Sequence, residues 1–210
     1  MLPPPAGVWG MPPDVLATIP GYGPYGPDVA ENRAQARAIM EKLGYGPDKR
    51  LAIEVAARNI AGYRDPAIIL IDQLKEIWID GELDAVETAN WFPKLARKDY
   101  QIGLNNTGSG VDDADQQYFE NYGCGSERNY TGYCNAELEK LFVKQSETAD
   151  REKRRRLVWE IDKQLQEDGA RPIIYHTRAA TCMQPQVKGL TIMVNSQYNG
   201  WRMEDVWLDH

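Results

Sequence analysis

The chain has 210 residues, 42% of them hydrophobic and 26% charged, which suits one or two folded domains with a real core. Its net charge is −7, with 24 lysines and arginines interleaved among 31 acids, so no basic field is set aside for nucleic acid. The longest apolar run, AIILI at 67–71, is far short of the roughly 20 residues that cross a bilayer, and no membrane-spanning segment is expected.

Residues 1–27 are dense in proline and glycine and predict an extended lead-in packed by Trp9, Tyr22 and Tyr25. The opening MLPPPAGVWGMPP lacks the layout of a signal peptide and reads as a stretch from within a longer chain. A helix follows, started by Pro27 and Asp28, striped by Val29, Ala36, Met40 and Leu43, and stopped by Gly44. RLAIEVAAR alternates apolar and polar residues and predicts a strand over 51–57. In RDPAIILIDQLKEIW, Asp65 as cap and Pro66 in the first turn predict a helix that buries Ile68, Ile71, Leu74 and Trp78. IDGELDAVE resumes a strand, so this span reads as a βαβ unit with parallel strands.

A short helix in NWFPKLARK leads to a third strand, DYQIGL, which delivers the polar loop LNNTGSGVDDAD. Two strong helices come later. One is capped by Asn135; the other is capped by Asp150, striped by Val158, Ile161 and Leu165, and closed by Gly169. The basic run EKRRR at 152–156 lies within the second and reads as a solvated helix face. RPIIYHTRAATCM is predicted as a strand, with His176 in the core, and WRMEDVWLD as a terminal segment that buries two tryptophans.

Cys124 and Cys134 flank a loop rich in Gly, Ser, Asn and Thr, a spacing that a disulfide closes if the Cα atoms come within about 7 Å. Such a bond implies an oxidising compartment, and leaves Cys182 as a small buried hydrophobe. The only histidines are His176 and His210, too few and too far apart for a zinc site, and no metal or cofactor is expected.

In this order the segments resemble the C-terminal part of the family 5 extracellular solute-binding proteins, which serve peptide, nickel, opine and related ABC importers. YGPDVAENRAQARAIMEKLGYGPDKRLAIEV resembles the family's alanine-rich helix and strand. IILIDQLKEIWIDGELDAVETANWFPKLARKDYQIGL and NYTGYCNAELEKLFVKQSETADREKRRRLVWEIDKQLQEDGARPIIYH resemble the elements that follow. The match covers roughly residues 20–185. It implies an α/β, periplasmic-binding-protein-like lobe: a mixed sheet with a βαβ unit, flanked by helices. It further implies a lead-in at 1–27, a ligand-binding lobe at 28–185, and a segment at 186–210 that packs back toward an N-terminal lobe outside this chain. The implied function is capture of a small solute between two lobes and its delivery to an inner-membrane ABC permease, in the periplasm and without catalysis.

The resemblance also places the polar loop against the ligand, and open α/β sheets do bind ligands at the carboxyl ends of their strands. Asn105, Asn106, Thr107 and Ser109 offer neutral donors and acceptors, and Gly108 and Gly110 allow close backbone approach. The alternative is a solvated turn. Peptide-binding members hold the ligand's α-amino group with an aspartate here; Gly110 stands at that position, followed by Asp112 and Asp113. Either one of these takes the role through a shifted register, or the solute is not an ordinary peptide. Asp113 and Asp115 also fit the cap of the next helix. A calcium loop lacks its glycine and closing glutamate here, and a phosphate loop lacks its lysine. Two rival readings remain: a hydrolase using Asp112 or Asp113, which requires a raised carboxyl pKa, and a protein interaction module. Among the aromatics, Trp91, Phe92, Tyr118, Phe119 and Tyr122 are expected mainly in the core. Arg128 is expected to pair with Glu127 or Glu120.

Overall fold

A computed structural model describes residues 1, 4–19, 21–22, 27–177, 180–196 and 202–209. Tyr25, Trp201 and His210 lie outside the described residues. The chain forms two compact units, one of Ala17–Thr107 and one that joins Met1–Leu16 to Gly108–His210. The span 28–185, read from sequence as one lobe, is thus shared between them.

The first unit holds helix α2 (Pro27–Lys42), strand β1 (Leu51–Arg58), helix α3 (Ala61–Leu74), a 3-10 turn (Lys75–Ile77), strand β2 (Ile79–Val86), helix α4 (Thr88–Ala96) and strand β3 (Ile102–Leu104). Its sheet has the order β2-β1-β3, and both pairings are parallel, with Leu51 opposite Ile79 and Val55 opposite Ile102. The expected βαβ unit is present. Val55, Ala56 and Ala57 are fully buried, as a central strand covered on both faces requires. Val55 and Ala57 pack with Ala67, Leu104, Tyr63, Leu70 and Ile71 into the unit's core. Gly81 of β2 is needed there, because a Cβ would stand 3.0 Å from Ile71 Cγ1 and 3.3 Å from Val55 Cγ2.

Several local expectations fail in this unit. Helix α3 begins at Ala61 rather than beside Asp65, because the N–H groups of Tyr63 and Arg64 already bond to the Ile60 carbonyl. Pro66 therefore sits inside the helix. That start shifts the buried stripe to Ala67, Leu70 and Ile71 and leaves Ile68 half exposed. In α2, Met40 is buried but Leu43 is exposed, since the helix ends at Lys42 and the chain turns through Gly44 at φ 84°.

The second unit holds α1 (Pro13–Leu16), α5 (Ala114–Tyr122), α6 (Ala136–Ser146), α7 (Arg151–Glu167), β4 (Val187–Lys188) and β5 (Trp207–Leu208). Trp9, Tyr118, Phe142, Val158, Ile161 and Leu165 form its core. Tyr118 and Phe142 stack with ring centroids 5.2 Å apart, and the Tyr118 hydroxyl donates to the Val158 carbonyl at 2.7 Å. Asn135 and Asp150 cap α6 and α7 as expected, and Gly169 closes the last turn at φ 62°. Cys124 and Cys134 are joined in a disulfide with Cα atoms 4.6 Å apart.

The lead-in contains one regular turn, α1, where none is expected. Residues 171–177 form no strand, because no described strand lies alongside to complete a ladder, and His176 is only partly buried. Cys182 is exposed rather than buried. At the C-terminal end β4 and β5 make an antiparallel pair separate from the main sheet, and Trp207 stays 55% exposed instead of joining a core.

Candidate functional site

In the sheet unit, the carboxyl ends of β1, β2 and β3 carry Arg58, Val86 and Leu104, and the chain leaves them into α3, α4 and the polar loop. Asn105 follows β3 and is partly buried, with its side-chain oxygen accepting from Trp91 Nε1 at 3.4 Å. Asn106 and Thr107 are exposed. Asn59 donates to Glu87 at 2.8 Å, joining the ends of β1 and β2.

Arg58 closes the central strand. Its Nε donates to Thr88 Oγ1 at 3.0 Å, and its guanidinium carbon lies 5.7 Å from the Tyr63 ring centre and 5.9 Å from that of Phe92. Sequence reasoning passes over this residue as part of a strand. The available signal was a lone cation following the small apolar run Val55, Ala56 and Ala57 at the end of the strand.

The second part of the helical unit begins at Gly108 and holds the rest of the predicted loop. Ser109 is 4% exposed, and its hydroxyl donates to the Val111 carbonyl and bonds with Gln116 Oε1. The Gly110 N–H donates to the same Gln116 oxygen at 2.9 Å, and the Gly110 carbonyl accepts from Ser196 at 2.8 Å. The Gly108 carbonyl accepts from Gln117 at 3.4 Å. Ser109 is buried and its polar group is satisfied by Val111 and Gln116, whereas Gly108 and Gly110 are exposed, with bonds to Gln117, Gln116 and Ser196.

The three acids that follow are equally occupied. Asp112 accepts from the Val8 N–H at 2.7 Å and from Asn195 at 2.6 Å, and its carbonyl accepts from Trp9 Nε1 at 2.8 Å. Asp113 is the N-cap of α5, accepting from the Asp115 N–H, and takes a two-pronged ion pair from Arg154 at 2.6 and 3.0 Å. Burial pushes the Asp113 carboxyl up, but the hydrogen bonds and charge of Arg154 and the Asp115 N–H outweigh it and hold the group below its ordinary value. Asp115 is not a second cap. It lies in the first turn and ties α5 to Ser146 at 2.7 Å, to Gln145 and to Arg154. Arg154 itself stacks 4.4 Å from the Trp9 ring centre. This is a polar joint between the N-terminal segment and three helices.

The aromatics divide. Trp91, Tyr118 and Tyr122 are buried, whereas Phe92 and Phe119 are 46% and 41% exposed. Arg128 pairs with Glu120 at 3.3 Å. Among the described residues no group of three or more His, Cys, Asp or Glu is placed to hold a metal ion, and no helix is long and apolar enough to cross a membrane.

No family model matches the chain, and neither does any curated protein sequence. Solved structures do. An OppA from Burkholderia pseudomallei superposes with TM-score 0.71 at 17% identity over 91% of this chain. Haemophilus influenzae OppA in complex with the peptide RPPGFSPFR gives 0.74 at 18% over 90%. NikA from Staphylococcus aureus in complex with Ni(L-His)2 gives 0.61 at 15% over 78%. The chain spans 37%, 36% and 36% of those structures, a little over a third of their length. It has the fold of part of a periplasmic-binding-protein-like, family 5 solute-binding protein, as the order of its sequence segments implies.

Proposed function

We propose that the chain is a ligand-binding lobe of an extracellular solute-binding protein. The whole protein captures a small solute, such as a peptide or opine, between two lobes and hands it to an inner-membrane ABC permease. Residues 1–27 and 186–210 belong, in this reading, to the connections with the other lobe. The observation that carries it is the likeness, over nine-tenths of the chain, to two OppA structures, one of them in complex with the peptide RPPGFSPFR. Capture by lobe closure needs no covalent chemistry, because the closed form is favoured by contacts that only it supplies.

Within the predicted loop, the solute-facing role falls to Asn105, Asn106 and Thr107, at the carboxyl edge of the parallel sheet. Gly108, Ser109, Gly110, Asp112 and Asp113, which belong to the helical unit, each have polar partners within that unit. The hydrolase reading calls for a raised carboxyl pKa, whereas that of Asp113 is lowered. Native mass spectrometry of the full-length protein purified from its own host tests the proposal: a retained small molecule is expected. A protein that carries no solute, and whose deletion leaves uptake of candidate solutes unchanged, sinks it.

A further inference from the structure

We propose that Arg58 receives a carboxylate group of the solute, so that the solute is anionic; this rests on the solute-binding reading for its biological meaning. Arg58 stands at the carboxyl end of the central strand, and three other residues fix its guanidinium: Thr88 through Nε, and the Tyr63 and Phe92 rings. Its two terminal nitrogens have no acceptor among the described residues. Each of the other arginines of the unit has one: Arg33 faces Glu76, Arg37 the Glu76 carbonyl, Arg50 Asp80, Arg64 Asp65 and Arg97 Asp99. Glu87, the acid that follows β2, is engaged by Asn59 instead.

A guanidinium held by its Nε and by two rings presents its remaining donors as a preset planar fork, the shape that takes both oxygens of a carboxylate. Holding the fork before the ligand arrives removes much of the entropic cost of ordering a long side chain. Phe92, nearly half exposed, keeps the clamp at the surface, where a solute can reach it. α3 and α4 carry no acidic residue in their first turns, and Glu87, the acid at the N-cap of α4, is held by Asn59. A single guanidinium balances one negative charge, which favours a carboxylate over a phosphate dianion.

The test is an NMR titration of the 210-residue chain with N-acetyl-L-alanine, its neutral partner N-acetyl-L-alaninamide, and inorganic phosphate. The carboxylate is expected to shift the Arg58 Nε–H, Tyr63, Thr88 and Phe92 signals, with the amide weaker by about tenfold or more. Arg58→Met, which keeps the apolar stem, should lose the response, and Arg58→Lys should keep part of it. Equal response to acid and amide, no response to either, a stronger response to phosphate, or an undiminished response in Arg58→Met would each overturn the proposal. If Arg58→Met fails to fold, the acid and amide pair on the unaltered chain decides alone. The two readings fail separately. A neutral solute retained by the host-purified protein overturns the Arg58 assignment and leaves solute capture standing. A carboxylate response in a protein that carries no solute does the reverse.

Discussion

The two units solve the same problem with different means. The sheet unit is held by a compact apolar core of Val55, Ala57, Ala67 and Leu104, and its charged groups lie at edges and surfaces. The helical unit buries large aromatics, but also Gln145, Asn121, Asn129 and Asp162, and it adds a disulfide and the Arg154 joint. Acids that sit together in sequence, as Asp112, Asp113 and Asp115 do, suggest chemistry; here they bind helices to one another. Arg58, immobilised yet without an acidic partner among the described residues, belongs to the unit with the simpler interior. In this molecule a crowded polar cluster marks architecture, and an isolated, immobilised charge marks opportunity.

That contrast can be broken at defined points. The largest effect is expected from Phe142→Ala, which removes a fully buried ring stacked on Tyr118 and should cost about 4 kcal/mol in urea unfolding. Arg154→Leu strands Asp113 and Asp115 and uncovers Trp9; a loss of about 3 kcal/mol is expected, read by hydrogen exchange in α5 to α7. Replacing Cys124 and Cys134 together by serine frees a loop with a sequence separation of 10 and should cost about 2–3 kcal/mol. In the other unit, Gly81→Val forces a side chain against Ile71 and Val55, and a cost of about 2 kcal/mol should appear as lost exchange protection in β1 and β2.

The smallest effect is one of pH. Asp113 holds its proton less readily folded than unfolded, so its contribution is present above the ordinary value of 3.8 and is lost as pH falls through the lower folded-state value. Asp113→Asn should therefore be less stable at pH 6 yet lose less than the unaltered chain between pH 4 and pH 2.5. Parallel pH curves for the two proteins would remove Asp113 from the joint.

Much of the fold was legible because it follows from local pattern. The alternation in RLAIEVAAR, the side chains of Asn135 and Asp150, and the turn at Gly169 each specify an element within a few residues. What was not legible depends on distant partners. The segment around His176 has strand composition but no described neighbour to pair with, and Trp207 has aromatic bulk without a core to enter. The polar loop shows the same limit most clearly. Its composition equally suits a ligand wall and a self-satisfied turn, and the bonds that Gln116, Gln117 and Ser196 make to Gly108, Ser109 and Gly110 come from residues that follow the loop and carry no signal within it. Arg58 was hidden for the opposite reason: one cation at the end of a strand has no pattern, and its significance lies in the acids that do not face it.

The chain order of the two units has a consequence for synthesis. The sheet unit is one continuous stretch inserted between the two parts of the helical unit. On a ribosome adding about 5–20 residues per second, the intervening stretch takes roughly 5–20 seconds to emerge. The sheet unit can complete itself in that time, from contacts all made within its own segment. Trp9, by contrast, must wait for Asp112, Arg154 and Trp159 before it has anything to hold. Within this stretch, the residues around Trp9 are made before the sheet unit yet secured after it, and through that interval an exposed indole and a proline-rich arm depend on the nascent chain, or on whatever attends it, to stay unengaged.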